Sequence, residues 1–197
     1  MVIERKARIF RIIKVLSRIS LSPFYRIETE GREHLPIKNA FILLPKHQCW
    51  QDIPVIALAT PRPLYYIAKY ELFKTRLSAW FLESLGGIPL DREQPLKSRG
   101  SIRAMIEFLK NGEAVVIFPE GTYYKNQMGP GKTGMLRLII SRLGFPLIPV
   151  GIHYEKMVFR TSVRVCFGNP IYPDKKAPPS STVSDVMKEI AVLSGLG

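Results

Sequence analysis

The sequence predicts an α/β fold, in which a mostly parallel or mixed sheet has helices on both faces and follows an N-terminal amphipathic helical segment. Short apolar runs alternate along the chain with stretches whose apolar residues recur at helical spacing, which is typical of strands connected by helices. The chain has 197 residues, of which 46% are hydrophobic, enough for the core of one domain. A local excess of positive charge marks the N-terminal segment.

We expect residues 1–23 to form a basic amphipathic helix on a membrane surface. Residues 1–26 contain seven Lys and Arg residues and one Glu. One face of the predicted helix is apolar: Ile9, Ile12, Ile13, Leu16 and Ile19. The opposite face is cationic: Arg8, Arg11, Lys14 and Arg18. Such a helix can lie among the headgroups of an anionic bilayer. The alternative is a surface helix whose apolar face packs on its own domain.

Residues 24–197 are predicted to form the α/β domain. The expected strands are short apolar runs at residues 25–30, 40–44, 64–68, 88–90, 114–118, 145–154 and 162–167. The expected helices are at residues 53–59, 71–85, 96–110 and 135–143, with a last helix around residues 183–190. A linker rich in proline and serine is expected at residues 170–181.

The composition narrows the class of partner. A net charge of +13 suits nucleic acid, an anionic membrane surface or phosphorylated small molecules. No recognised nucleic-acid module is present, and a cationic amphipathic helix matches lipid better, so we expect a membrane partner and no nucleic acid. Two cysteines are too few for a disulfide scaffold and fit a reducing cytosolic compartment. No apolar run reaches the roughly 18 residues of a membrane span, and the N-terminus is not a signal peptide. We therefore expect a peripheral (monotopic) protein at the cytoplasmic face of the cell membrane.

Metal and nucleotide sites are not expected from the motifs. The three histidines and two cysteines form no cluster with metal-ligand spacing. Residues 131–133, Gly-Lys-Thr, resemble the end of a phosphate-binding loop, but Asn126 replaces the earlier glycine that this loop requires.

Acid–base chemistry is predicted just after the second strand. His47 can act as a general base and Asp52 can orient it. Five positions on one helix would turn the two side chains apart, so the pair requires His47 in a loop and Asp52 at a helix start. The alternatives are an ordinary loop histidine and an Asp52 that only caps its helix. Cys49 is two residues from His47, which is awkward for a nucleophile and its base, and we favour a bystander thiol.

Polar residues follow three predicted strands, at residues 46–47, 91–92 and 120–122. In open α/β sheets ligands bind at the carboxyl ends of the strands, so these residues could converge in one cleft.

The ordered motifs resemble the 1-acylglycerol-3-phosphate acyltransferase family of glycerolipid acyltransferases. The resemblance is carried by the His-x4-Asp motif of residues 47–52, Gly-Gly-Ile-Pro-Leu-Asp-Arg at 86–92, Phe-Pro-Glu-Gly-Thr at 118–122 and Ile-Pro-Val-Gly at 148–151. Residues 131–134 also look like the family's Lys-x-Gly.

The resemblance implies transfer of a fatty acyl group from a thioester, acyl-CoA or acyl carrier protein, to the hydroxyl of a lysolipid. The implied acceptor is 1-acylglycerol-3-phosphate, which would give phosphatidic acid, and no cofactor or metal is implied. His47 would be the general base and Asp52 its partner. The implied substrate-binding residues are Arg92, Glu120, Gly121, Thr122 and Lys132, with Arg92 binding the acceptor's phosphate.

The sequence departs from the family pattern at two positions. Tyr123 stands where the family usually has Arg after Glu-Gly-Thr, and Lys46 precedes His47 where many members have Asn or Ser. Without that guanidinium the acceptor could be another lysolipid, for example a lyso-aminolipid. Thioester hydrolysis and a non-catalytic membrane lipid-binding protein are the alternatives to transfer. The donor, acyl-chain length and oligomeric state stay open.

Overall fold

The computed structural model describes residues 5–91, 98–131, 134, 136–137, 144–174 and 176–197. Its helices are α1 (Ala7–Leu21), α2 (Asp52–Ala59), α3 (Arg76–Ser84), α4 (Arg99–Lys110) and α5 (Pro179–Leu193). Its strands are β1 (Tyr25–Glu30), β2 (Phe41–Pro45), β3 (Leu64–Lys69), β4 (Gly87–Leu90), β5 (Ala114–Val116), β6 (Leu147–Lys156) and β7 (Thr161–Phe167).

The strands form one seven-stranded sheet in the order β1-β7-β6-β2-β5-β3-β4. Only β6 and β7, among the strands described, pair in antiparallel orientation, and the other neighbours are parallel. The mostly parallel or mixed sheet predicted from the sequence is therefore confirmed. Strand β2 lies at the centre, between β5 and β6.

Helices cover both faces of the sheet, as predicted. Successive residues of a strand point to opposite faces, so Phe41 and Leu43 pack with α2 while Ile42 and Leu44 pack with α4 and α5. Every residue of β2 is buried, because both faces of the strand are covered. This accounts for a continuous apolar run rather than an alternating one.

Much of the apolar face of helix α1 is exposed to solvent. Ile12, Leu16 and Ile19 are 52% to 63% exposed, while Phe10 and Ile13 line a cavity between α1, α2 and α3. The apolar face of α1 is therefore divided between the domain and the solvent, and the membrane contact of this helix stays a prediction.

The cationic face of α1 differs from the prediction at Lys14. Its Nζ donates to the carbonyl of Thr60, 2.9 Å away, at the end of α2. Burial, together with the charges of Arg18 and Arg32, lowers the pKa of Lys14. Lys14 thus attaches α1 to the domain.

The helix predicted at residues 71–85 is divided in two. A 3-10 turn at Tyr70–Phe73 is followed by an extended residue, Thr75, whose hydroxyl accepts a hydrogen bond from Ser78 N at 3.1 Å. A threonine cap starts a new helix here. The last helix begins at Pro179, inside the predicted linker, because proline suits a first helical turn. The predicted helix at residues 135–143 lies largely outside the described residues.

In the part of the chain that is described, no helix is both long enough and apolar enough to cross a bilayer.

Candidate active site

Two of the three predicted strand ends meet at one edge of the sheet. Strands β2 and β5 are parallel neighbours, so their carboxyl ends lie together. The loop at residues 46–51 follows β2, and the turn at residues 118–124 follows β5. Tyr124 N donates to the carbonyl of His47 at 2.9 Å, which joins the loop to the turn. The third position, Arg92, lies outside the described residues.

His47 and Asp52 form a hydrogen-bonded pair. His47 Nδ1 lies 3.0 Å from Asp52 Oδ2. His47 is in the loop and Asp52 is the first residue of α2, which is the arrangement that the spacing required. Because Nδ1 faces the carboxylate, Nε2 is the ring nitrogen left for proton transfer.

The Asp52 carboxylate is fully buried and accepts several hydrogen bonds. Backbone N–H groups of Gln48 and Cys49 donate to Oδ2 from 2.6 and 2.9 Å, and the hydroxyl of Tyr154 donates to Oδ1 from 2.6 Å. These donors precede the helix in the chain or come from β6, so Asp52 does not cap α2. Burial and the charge of Asp52 raise the pKa of Tyr154, which keeps the phenol protonated as a donor.

Aromatic side chains fix the plane of the imidazole. The His47 ring stacks on Phe118 with centroids 3.8 Å apart, and the Tyr123 ring packs against it in a T-shaped arrangement with centroids 4.4 Å apart. Tyr123 is 53% exposed. Tyr123, which stands where the family usually has Arg, therefore packs against His47 and is exposed to solvent.

The side chain of Glu120 is buried inside the protein and does not face the solvent near Tyr123. Its carboxylate and the ammonium of Lys46 are both fully buried, with Nζ 2.8 Å from Oε1 and 2.7 Å from Oε2. The same carboxylate accepts from His47 N at 2.9 Å and Gly129 N at 2.6 Å. The part in substrate binding that the family resemblance implies for Glu120 stays a prediction. In the structure, Glu120 holds the backbone of His47 in place through the hydrogen bond from His47 N.

Three supporting residues were not singled out as site residues by the sequence. Lys46 also donates to the carbonyl of Tyr124 at 2.7 Å. Gln48 donates to the carbonyl of Ile152 at 2.7 Å and accepts from Asn126 N at 2.9 Å. Tyr154 is the third. A lysine that directly follows a buried apolar run signals a buried partner, and Glu120 meets that requirement.

Two of the three remaining predicted site residues lie within the described part of the chain. Gly121 adopts a left-handed φ of 69°, which favours glycine, and lets the chain turn after β5. Thr122 is half-buried beside Tyr123. Lys132 lies outside the described residues.

Cys49 is not built as a nucleophile. Its Sγ lies 3.6 Å from Asp52 Oδ1, and burial raises the pKa of the thiol. A protonated thiol is a poor nucleophile.

An apolar cavity of about 360 Å³ opens near the loop. Its walls come from α1, α2, α3 and β3, including Phe10, Ile53, Tyr66 and Phe81, and Trp50 of the loop stands at its edge. No group of three or more His, Cys, Asp or Glu side chains that could hold a metal occurs among the described residues.

Known proteins share this sequence pattern. The family model described as Acyltransferase matches residues 26–153. A chloroplastic 1-acyl-sn-glycerol-3-phosphate acyltransferase of Brassica napus is 29% identical over 175 residues, which cover 83% of this chain and 50% of that protein. A 1-acyl-sn-glycerol-3-phosphate acyltransferase of Bacillus subtilis is 32% identical over 152 residues, 74% of each chain. The chain spans about half the length of the plant relative.

A solved structure shares the fold. PlsC, the 1-acyl-sn-glycerophosphate (LPA) acyltransferase of Thermotoga maritima, superposes with a TM-score of 0.71 at 25% identity, over 95% of this chain and 80% of that one. The family match covers more than half of the chain and includes both His47 and Asp52. The chain therefore belongs to the acyltransferase family.

Proposed function

We propose that this protein transfers a fatty acyl group from a thioester to the hydroxyl of a lysolipid, with 1-acylglycerol-3-phosphate as the first candidate acceptor and phosphatidic acid as the product. The observation that carries the proposal is the contact of 3.0 Å between His47 Nδ1 and a fully buried Asp52. In the proposed reaction His47 Nε2 takes the proton of the acceptor hydroxyl, whose oxygen attacks the thioester carbonyl carbon. The tetrahedral intermediate then breaks its C–S bond, and the imidazolium returns the proton to the leaving thiolate.

Asp52 stabilises the imidazolium in this scheme and fixes its tautomer. The two backbone N–H groups and the Tyr154 hydroxyl hold the carboxylate in place. The acceptor oxygen attacks directly, so no acyl-enzyme forms and Cys49 has no role in the chemistry. Donors of the proposed class, acyl-CoA or acyl carrier protein, are anionic, and the net charge of +13 favours their approach.

The apolar cavity beside Trp50 is proposed to hold the acyl chain of the donor. Its lining is almost entirely hydrocarbon and aromatic surface, which suits an aliphatic chain. Thr122 at the cleft, with Arg92 and Lys132, stays the proposed contact set for the acceptor headgroup.

The protein is proposed to work at an anionic membrane surface, at the cytoplasmic face of the cell membrane. Support comes from α1, where exposed Ile12, Leu16 and Ile19 lie near the cations Arg11 and Arg18. This combination matches a helix lying in the headgroup plane.

A second candidate acceptor is a lysolipid without a phosphate on the headgroup, such as a lyso-aminolipid. The observation that favours it is Tyr123, which occupies the position of the family's arginine and packs against His47. A phenol cannot bind a phosphate through two parallel hydrogen bonds, as a guanidinium does.

The test is a panel of lysolipid acceptors with labelled acyl-CoA and acyl carrier protein donors. We expect His47→Ala and Asp52→Ala each to lower turnover by about 10² or more, since general acid–base catalysis typically contributes 10²–10⁴. Cys49→Ala is the matched loop variant and should keep most of the activity. Folded His47→Ala or Asp52→Ala with near-parental turnover would contradict the mechanism. Release of free fatty acid without dependence on an acceptor would instead indicate hydrolysis.

A further inference from the structure

The hairpin between β6 and β7 ends in an exposed apolar tip. Met157, Val158 and Phe159 are 57%, 90% and 93% exposed, and Met157 N donates to the carbonyl of Arg160 at 2.8 Å to close the turn. The exposed cations Lys156 and Arg160 lie on either side of the tip. Consecutive large apolar side chains at such exposure mark an interaction site rather than ordinary surface.

The tip belongs to the same surface as the catalytic loop and the end of α1. Thr161 N, at the start of β7, donates to the carbonyl of Phe24 at 2.8 Å. A depression of about 600 Å³ is lined by the tip, by Phe24 and by Trp50. Phe24 and Trp50 are themselves 66% and 60% exposed. The hairpin tip, the end of α1 and Trp50 of the loop that carries His47 therefore border one depression.

We propose that the tip at residues 157–159 inserts into an anionic lipid surface and is a second membrane contact beside α1. The apolar tip would enter the interface while Lys156 and Arg160 meet anionic headgroups, each cation adding a charge attraction that neutral lipid lacks. Exposed Trp50 suits the headgroup region, where Trp and Tyr side chains are enriched. The proposal rests on the proposed function for its purpose, which is to bring the catalytic loop to a lipid-embedded acceptor.

Vesicle co-sedimentation tests the contact without relying on activity. With vesicles of phosphatidylcholine and phosphatidylglycerol, the double variant Val158→Ser/Phe159→Ser should partition about tenfold less than the parent chain, because part of two apolar side chains no longer leaves water. Ile37→Ser, which removes another highly exposed apolar side chain from a loop, should partition like the parent. The pair Lys156→Gln/Arg160→Gln should weaken binding to anionic vesicles and leave binding to pure phosphatidylcholine unchanged.

Two outcomes would overturn the proposal: equal partition of the tip variant and the parent, or an equal loss with Ile37→Ser. A tip variant that changes only the solution mass by light scattering would assign the tip to self-association and also overturn it. Acylation separates this from the proposed function. The tip variant should acylate a short-chain, monomeric acceptor like the parent and lose activity only toward acceptor embedded in vesicles. If the parent acylates nothing, the proposed function fails while the partition result still decides the role of the tip.

Discussion

Replacing Glu120 by Gln should destabilise the protein more strongly than any surface charge change. Among the described residues, the Glu120 carboxylate accepts four hydrogen bonds: from Lys46 Nζ on both oxygens, from His47 N on Oε2 and from Gly129 N on Oε1. An amide has one oxygen and one NH₂ group, so in either orientation its NH₂ opposes Lys46 and one backbone N–H. The Lys46 ammonium also stays buried without a countercharge. Breaking one partner of a buried pair costs about 3–5 kcal/mol.

The measurement is the free energy of unfolding from urea titrations followed by far-UV circular dichroism. Glu28→Gln is the matched control, since Glu28 pairs with Arg26 at 2.8 Å but both side chains are largely exposed. We expect this control to lose about 0–1 kcal/mol, as exposed pairs do. A loss below about 1 kcal/mol for Glu120→Gln, equal to the control, would refute the assignment of the Lys46–Glu120 pair as a structural support of the loop.

Two further predictions concern Tyr154 and helix α1. Tyr154→Phe should lower kcat about tenfold, which corresponds to about 1.4 kcal/mol of activation free energy. KM should change little, because the lost hydroxyl donates to Asp52 and not to the substrate. A raised KM at unchanged kcat in steady-state assays would argue against this role. Arg11→Glu/Arg18→Glu should weaken binding to anionic vesicles by at least about 30-fold at low salt, because losing two cations at roughly 1 kcal/mol each removes about 2 kcal/mol of attraction. Binding that is unchanged across a salt titration would count against α1 as a membrane helix.

The local part of the site could be predicted from the sequence. His47 and Asp52 are five residues apart. The prolines at positions 45 and 54 indicate that a strand ends before His47 and that a helix starts near Asp52, with a loop between them. The alternation of apolar runs and helical patterns also predicts the mixed sheet with helices on both faces. The continuous apolar run of β2 fits a strand that is buried on both sides.

The long-range part of the site could not be predicted in this way. Lys46 and Glu120 are 74 residues apart, and Tyr154 is 102 residues from Asp52. Periodicity says which face a residue takes but not which strand lies beside it, so the partners of a buried charge remain unspecified. The exposed hairpin tip at residues 157–159 could not be predicted for a related reason, because an apolar turn and an apolar strand end have the same sequence pattern.

The length of β6 separates the hairpin tip from His47. Strand β2 ends at Pro45, opposite Val150, whereas β6 continues to Lys156. Six further residues at about 3.3 Å each carry the hairpin roughly 20 Å beyond the end of β2. Amphipathic segments bury themselves about 5–10 Å into a bilayer, so a tip at that depth leaves His47 outside the hydrocarbon. In the proposed reaction, the imidazolium of His47 would then remain in a medium that tolerates its charge, while the acyl chains stay within reach of the cleft.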